Sequence, residues 1–159
     1  MRYLTAALFV ALAACGQASQ APADAQTQQA AVRIENAWAA PTPGGVDVSA
    51  GYLTIVNAGA AGDALLSVTS PRAGRVEVHE MAMQGGVMQM RAVAQLAVPA
   101  RQSVELAPNG RHLMFYGVAQ PFAAGETIPV RLVFEHAGAV DVSLPVRRPG
   151  ASRPNHSGH

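Results

Sequence analysis

Two histidines and two methionines, His79, Met90, His112 and Met114, stand with ten, twenty-one and one residues between them. Imidazole nitrogen and thioether sulfur form a ligand set that suits Cu(I). A thioether carries no charge and forms no disulfide. It therefore favours the monovalent ion over Cu(II) or Zn(II), and it tolerates an oxidising compartment that would threaten a thiolate. Neutral imidazole strengthens the set, and protonation should weaken it as pH falls through the histidine range. Such a mixed, uncharged site near the surface would hold an ion firmly and still exchange ligands stepwise, as a carrier must.

Rigid extended segments must position these groups. Gln84-Gly85-Gly86-Val87 is a hairpin signal, because paired glycines supply the positive φ of a two-residue turn. With Gly85 and Gly86 as the loop, Gln84 faces Val87, Met83 faces Met88 and Met81 faces Met90. His79 then faces Ala92 and lies diagonally from Met90, about 7–8 Å away by Cα. Side chains alternate with a period of two, so His79, Met81, Met83, Met88 and Met90 project from one face. Asn109-Gly110 is a second turn signal, and it leads into a strand on which His112 and Met114 share a face while Leu113 points away. A common site requires this strand to pack beside or across from the hairpin.

The neighbouring residues admit more than one role. Met81, Met83 and Met88 either fill irregular packing gaps or support copper binding and docking. Glu80 should point to the opposite face from His79, and Glu77 lies further along the strand. His136, in Glu135-His136-Ala137-Gly138, reads as a hairpin turn residue. His156 and His159 in the C-terminal tail could form a loose second site for Cu(II), although a solvated tail is the default.

The chain of 159 residues is 50% apolar and 13% charged, which suits one domain with a sizeable core. Net charge is +1 and all eleven basic residues are scattered arginines, so nucleic acid is excluded as a partner. Residues 1–14 read as an export signal, with Arg2 ahead of an apolar run from Tyr3 to Ala14 that is too short to span a bilayer. Leu12-Ala13-Ala14-Cys15 resembles a bacterial lipobox, which makes Cys15 the lipidation site and the membrane a partner through a lipid anchor. The alternative is ordinary cleavage to a soluble periplasmic form. Gly16, rather than an acidic residue after the cysteine, hints at the outer membrane. A single cysteine permits no internal disulfide, no Cys-x-x-Cys redox chemistry, no covalent haem and no blue-copper thiolate.

Residues 15–30 read as a flexible tether with a reach of about 20 Å. From Ala31 to Val146, short β-rich runs are broken by Gly, Pro and Asn, and residues 147–159 read as a mobile tail. Nine strands are expected: Val32–Trp38, Gly51–Asn57, Ala64–Val68, Arg75–Met83, Val87–Val93, Gln102–Leu106, Arg111–Gly117, Thr127–Glu135 and Ala139–Pro145. Without a long helical period, the fold class is all-β, a single-domain sandwich or barrel of about eight to nine strands.

At these residues the chain resembles the periplasmic copper chaperone family PCu(A)C. That family's signature is a His, ten residues, a Met, twenty-one residues, then His-x-Met, and His79, Met90, His112 and Met114 match it. The words His79-Glu80-Met81, Gly85-Gly86-Val87-Met88, His112-Leu113-Met114, Ala37-Trp38 and Gly51-Tyr52-Leu53-Thr54 also resemble it, across about Val32 to Val146. The resemblance implies a cupredoxin-like or immunoglobulin-like β-sandwich binding one Cu(I) through those four side chains. It further implies delivery to the dinuclear copper centre of cytochrome c oxidase or to related periplasmic targets. Some relatives bind Cu(II) through His- and Met-rich tails, whereas this tail offers only His156 and His159.

Two other functions compete with a non-enzymatic carrier. A copper or zinc enzyme would need an open position for water or substrate, and zinc would favour His, Cys and carboxylate ligands. A structural or adhesive β-sandwich lipoprotein would use the methionines for packing alone.

Overall fold

The second strand shows how the sequence builds this fold. Val48–Asn57 alternates half-buried and buried residues along its whole length, as expected for a strand with a core face. A computed structural model describes residues 31–150 of the chain. Within it lie ten strands: β1 (Val32–Ala39), β2 (Val48–Asn57), β3 (Asp63–Thr69), β4 (Arg75–Gln84), β5 (Val87–Val93), β6 (Leu96–Val98), β7 (Ser103–Leu106), β8 (His112–Tyr116), β9 (Thr127–Phe134) and β10 (Gly138–Pro145).

The strands form one hydrogen-bonded network in the order β1-β2-β8-β4-β3-β9-β10, with β5 on β4, β6 on β3 and β7 on β2. The two ends of this path meet. Ala39 bridges Val146 in parallel, and the Arg147 amide donates to the Ala39 carbonyl at 3.0 Å. The sheet therefore wraps around its core into a nearly closed all-β domain, in keeping with the expected fold class.

Leu53, Ile55, Leu113, Phe115, Phe122, Ile128, Leu132 and Leu144 fill the interior. Phe115 and Phe122 meet edge to face at 5.3 Å between centroids, a preferred arrangement for aromatic pairs. Gly51 makes room for the Phe115 ring. A Cβ there would lie 2.8 Å from the Phe115 ring and 3.0 Å from Leu144.

The nine expected strands are all present, Val87–Val93 with both ends as expected and the others with one or both ends shifted, and a tenth, β6, was not expected. It has only three residues, bounded by Gln95 and Pro99, too few to display a period of two. Strand β2 begins three residues earlier than expected, because Gly51 lies inside the strand rather than marking its start.

His136 occupies the turn between β9 and β10, as expected. The Asp63 carboxylate clamps that turn by accepting from the amides of His136 at 2.9 Å and Ala137 at 2.8 Å. Burial acts to raise the Asp63 pKa, but these bonds and one from the Ala64 amide outweigh it and hold the carboxyl below its ordinary value.

Candidate metal centre

The hairpin forms in the expected register. Gln84 pairs with Val87, Met83 with Met88, Met81 with Met90 and His79 with Ala92. Gly85 and Gly86 take φ of 61° and 82°, the left-handed values a two-residue turn of this type requires. On its other side β4 pairs with β8, placing His79 directly opposite His112 and Glu77 opposite Met114. The strand carrying His112 and Met114 is thus the immediate neighbour of the hairpin.

Directly paired residues share a face, and so do residues two apart. One face of β5, β4 and β8 therefore carries Met88, Met90, Met81, Met83, His79, Glu77, His112, Met114 and Tyr116. The structure brings the two imidazoles together, with ring centroids 6.0 Å apart. Both histidines are 8% exposed, unusually deep for polar side chains near a sheet end. The two methionines flank this pair. Met114 lies on the Glu77 side, half-buried, while Met90 lies on the far strand, diagonal to His79 and 47% exposed.

Hydrogen bonds assign the imidazole nitrogens different tasks. His112 Nδ1 lies 3.1 Å from the Gly110 carbonyl oxygen, an acceptor, so this nitrogen carries the proton and the lone pair resides on Nε2. His79 Nε2 lies 3.0 Å from Glu77 Oε2 and 3.2 Å from the Tyr116 hydroxyl. Donation from His79 Nε2 to the carboxylate leaves the lone pair of a neutral ring on Nδ1. That Nδ1 is the one buried side-chain nitrogen or oxygen among the described residues without a hydrogen-bond partner. An unpaired buried polar atom costs about 1–3 kcal/mol, so a group that engages this nitrogen would relieve a real penalty.

Glu77 and Tyr116 are the hydrogen-bond partners of His79 that strand-level reasoning overlooked. Glu77 is not merely further along the strand. It sits two residues from His79, on the same face, and holds the ring from behind, as carboxylates do for metal-binding histidines. The hydrogen bond from His79 lowers the Glu77 pKa, burial opposes this, and the Arg75 charge at 2.9 Å assists it. Glu80 does take the opposite face, where its nearest cation is Arg111 at 3.8 Å.

An aromatic wall continues the site's face on β2. Tyr52, next to Gly51, stacks on Trp38 at 4.3 Å between centroids, and Arg147 covers the indole at 4.6 Å. Burial pushes the Tyr52 phenol up. Among the described residues no group of three or more His, Cys, Asp or Glu side chains could hold a metal ion, so hard-donor metal chemistry has no ready cluster. Cys15, His156 and His159 lie outside the described residues.

The fold, with its paired imidazoles and surrounding thioethers, defines the class. It is the architecture of PCuAC domains. The copper-bound PCuAC domain from PmoF2 matches it with a TM-score of 0.65 at 24% identity, over 75% of this chain and 94% of that one. The Cu(I)-bound DR1885 of Deinococcus radiodurans matches with a TM-score of 0.60 at 25% identity, over 82% and 89% of the two chains. Within that class, the chain belongs to the family described as Putative lipoprotein LpqE-like, which matches residues 32–146. A relative, Putative lipoprotein Lxx21020 of Leifsonia xyli subsp. xyli, is 30% identical over 157 residues, spanning 96% of this chain and 92% of its own length.

Proposed function

We propose that this domain is a copper carrier that binds one Cu(I) through His79, Met90, His112 and Met114 and releases it to a copper-accepting protein. The observation that carries this reading is the pair of adjoining buried imidazoles, each with one nitrogen engaged and the other left for a ligand. The two thioethers complete a neutral, soft set that favours a monovalent ion. His79 and His112 supply the fixed part of the site. Met114 and Met90 approach from either side on flexible side chains, so that they can be exchanged one at a time for the ligands of an acceptor.

The acceptor in this reading is a dinuclear copper centre such as that of cytochrome c oxidase, reached outside the cytoplasm. Lipidation of Cys15 would hold the carrier at a membrane surface on the periplasmic side. The work is ligand exchange without turnover, and the protein is not an enzyme. His156 and His159 would add at most a loose second site for Cu(II).

Competition titration against a chromophoric Cu(I) chelator, under reducing conditions, should give one tight equivalent. X-ray absorption on that complex should count both nitrogen and sulfur neighbours. Removing two of the four ligands without changing the affinity would sink the proposal.

A further inference from the structure

Five of the six methionines in the chain lie between positions 81 and 114, and all five occupy the single face that carries the imidazole pair. Two of them, Met90 and Met114, belong to the site proposed above. The other three stand on the outer part of the hairpin. There β4 has left β8 behind, since its pairing with β8 ends at His79, and residues 80–84 pair with β5 alone. The tip is open, and a Cβ added at Gly85 or Gly86 would meet nothing within 4 Å.

Exposure argues against a packing role for Met83 and Met88, whereas Met81 is half-buried. Met83 is 66% exposed and Met88 48%, and four of the six exposed large hydrophobic residues among those described lie on this one hairpin. The reverse face of the ribbon carries Glu80, Gln89 and Arg91, with Val87 its one exposed large apolar side chain. Met83 and Met88 are directly opposite each other, which places their Cβ atoms about 4.5–5.5 Å apart. Two unbranched, polarizable thioethers at that spacing can close on one soft ion from both sides.

We propose that Met83 and Met88 form a second, weaker Cu(I) site at the ribbon tip, the outer rung of a thioether ladder whose inner rung is Met81 with Met90. The proposal rests on the copper-carrier reading above and adds the route by which the ion arrives and leaves. A site of two thioethers without an imidazole is weaker than the mixed site, so the ion moves inward to equilibrium and outward to a competing acceptor. In each exchange one bond forms as another breaks, Cu–S giving way to Cu–S or Cu–N on the way in and Cu–N or Cu–S giving way to Cu–S on the way out. The ion remains Cu(I) throughout, and no proton is lost from a thioether.

Methionine-methyl 13C NMR of the protein, titrated with Cu(I) under reducing conditions, tests the ladder. The first equivalent should move the methyls of Met90 and Met114 and the ring signals of His112. The second should move the methyls of Met83 and Met88. The double variant Met83→Leu and Met88→Leu keeps the apolar bulk and removes only sulfur, so it should lose the second response and retain the first. A normal first equivalent with silent Met83 and Met88 at the second overturns the tip site alone, leaving an apolar patch. Unmoved His112 and Met114 at the first equivalent overturn the carrier reading and the ladder's destination together.

Discussion

The inner and outer halves of β4 make a natural comparison. Val78 and His79 have strand partners on both sides, Leu113 and His112 on β8 and Val93 and Ala92 on β5. From Glu80 onward the strand has β5 alone. His79 is 8% exposed, while Met83, four residues later on the same face, is 66% exposed. One half is held by the core and hydrogen-bonded from behind, whereas the other is a ribbon of flexible side chains in solvent. In the proposed carrier this divides the labour: the sheet end would hold the ion through its two imidazoles, and the ribbon, which bears Met90, would set how readily it is exchanged.

The sharpest way to break this comparison is to loosen the sheet end from beneath. Leu113 is fully buried and lies between His112 and Met114 in sequence, so Leu113→Ala should lower global stability by about 2–5 kcal/mol in chemical denaturation. Met83→Ala in the ribbon should change it by less than about 0.5 kcal/mol. Equal effects would mean that the ribbon is part of the core after all.

Next in size, His112→Ala should weaken Cu(I) binding by at least about 100-fold in a chelator competition, the upper end of what loss of an outer partner costs. An unchanged affinity would remove the imidazole pair from the equilibrium site. A smaller effect is expected from Glu77→Gln, which keeps the shape but weakens the hold on His79 Nε2. It should cost about 10-fold in affinity.

Gly86→Val bears on the ribbon alone. A β-branched residue at φ of 82° is strained by roughly 1–2 kcal/mol. Amide exchange should therefore quicken from Glu80 to Arg91, while Cu(I) affinity falls far less than in His112→Ala, since Met90 is the one proposed ligand carried on the ribbon. Affinity falling in step with exchange would show that the two halves are not separable.

Acid supplies a control from outside both halves. The Asp63 pKa is lowered from its ordinary value of 3.8, so the stability it contributes is present above that value and is lost as pH falls through the lowered one. The native protein should hold its melting temperature from neutrality to about pH 4 and lose it below. Asp63→Asn should begin less stable and show a shallower acid decline.

Much of the site was legible because its signals are local. The Gly85-Gly86 pair specifies a turn, the turn specifies a register, and period-two alternation then puts His79 and four methionines on one face. The same alternation could have recovered Glu77 and Tyr116, since each stands two residues from a candidate ligand, His79 and Met114 respectively. What local signals did not specify is which strand lies beside which. The β2-β8-β4 order joins segments far apart in sequence, and such pairing depends on the shape of the whole core. Strand β6 escaped notice because three residues against β3 carry no periodicity of their own.

One detail of β1 has a mechanical consequence. Val32 pairs with Asn57 at the end of β2, and the registers of β2, β8 and β4 run so that this end of the strands is also where Gly85 and Gly86 turn. The chain thus enters the domain at the pole from which the ribbon projects, and it departs after Val146 at the other. An anchor upstream of Val32 would therefore hold the domain by the pole that bears the ribbon.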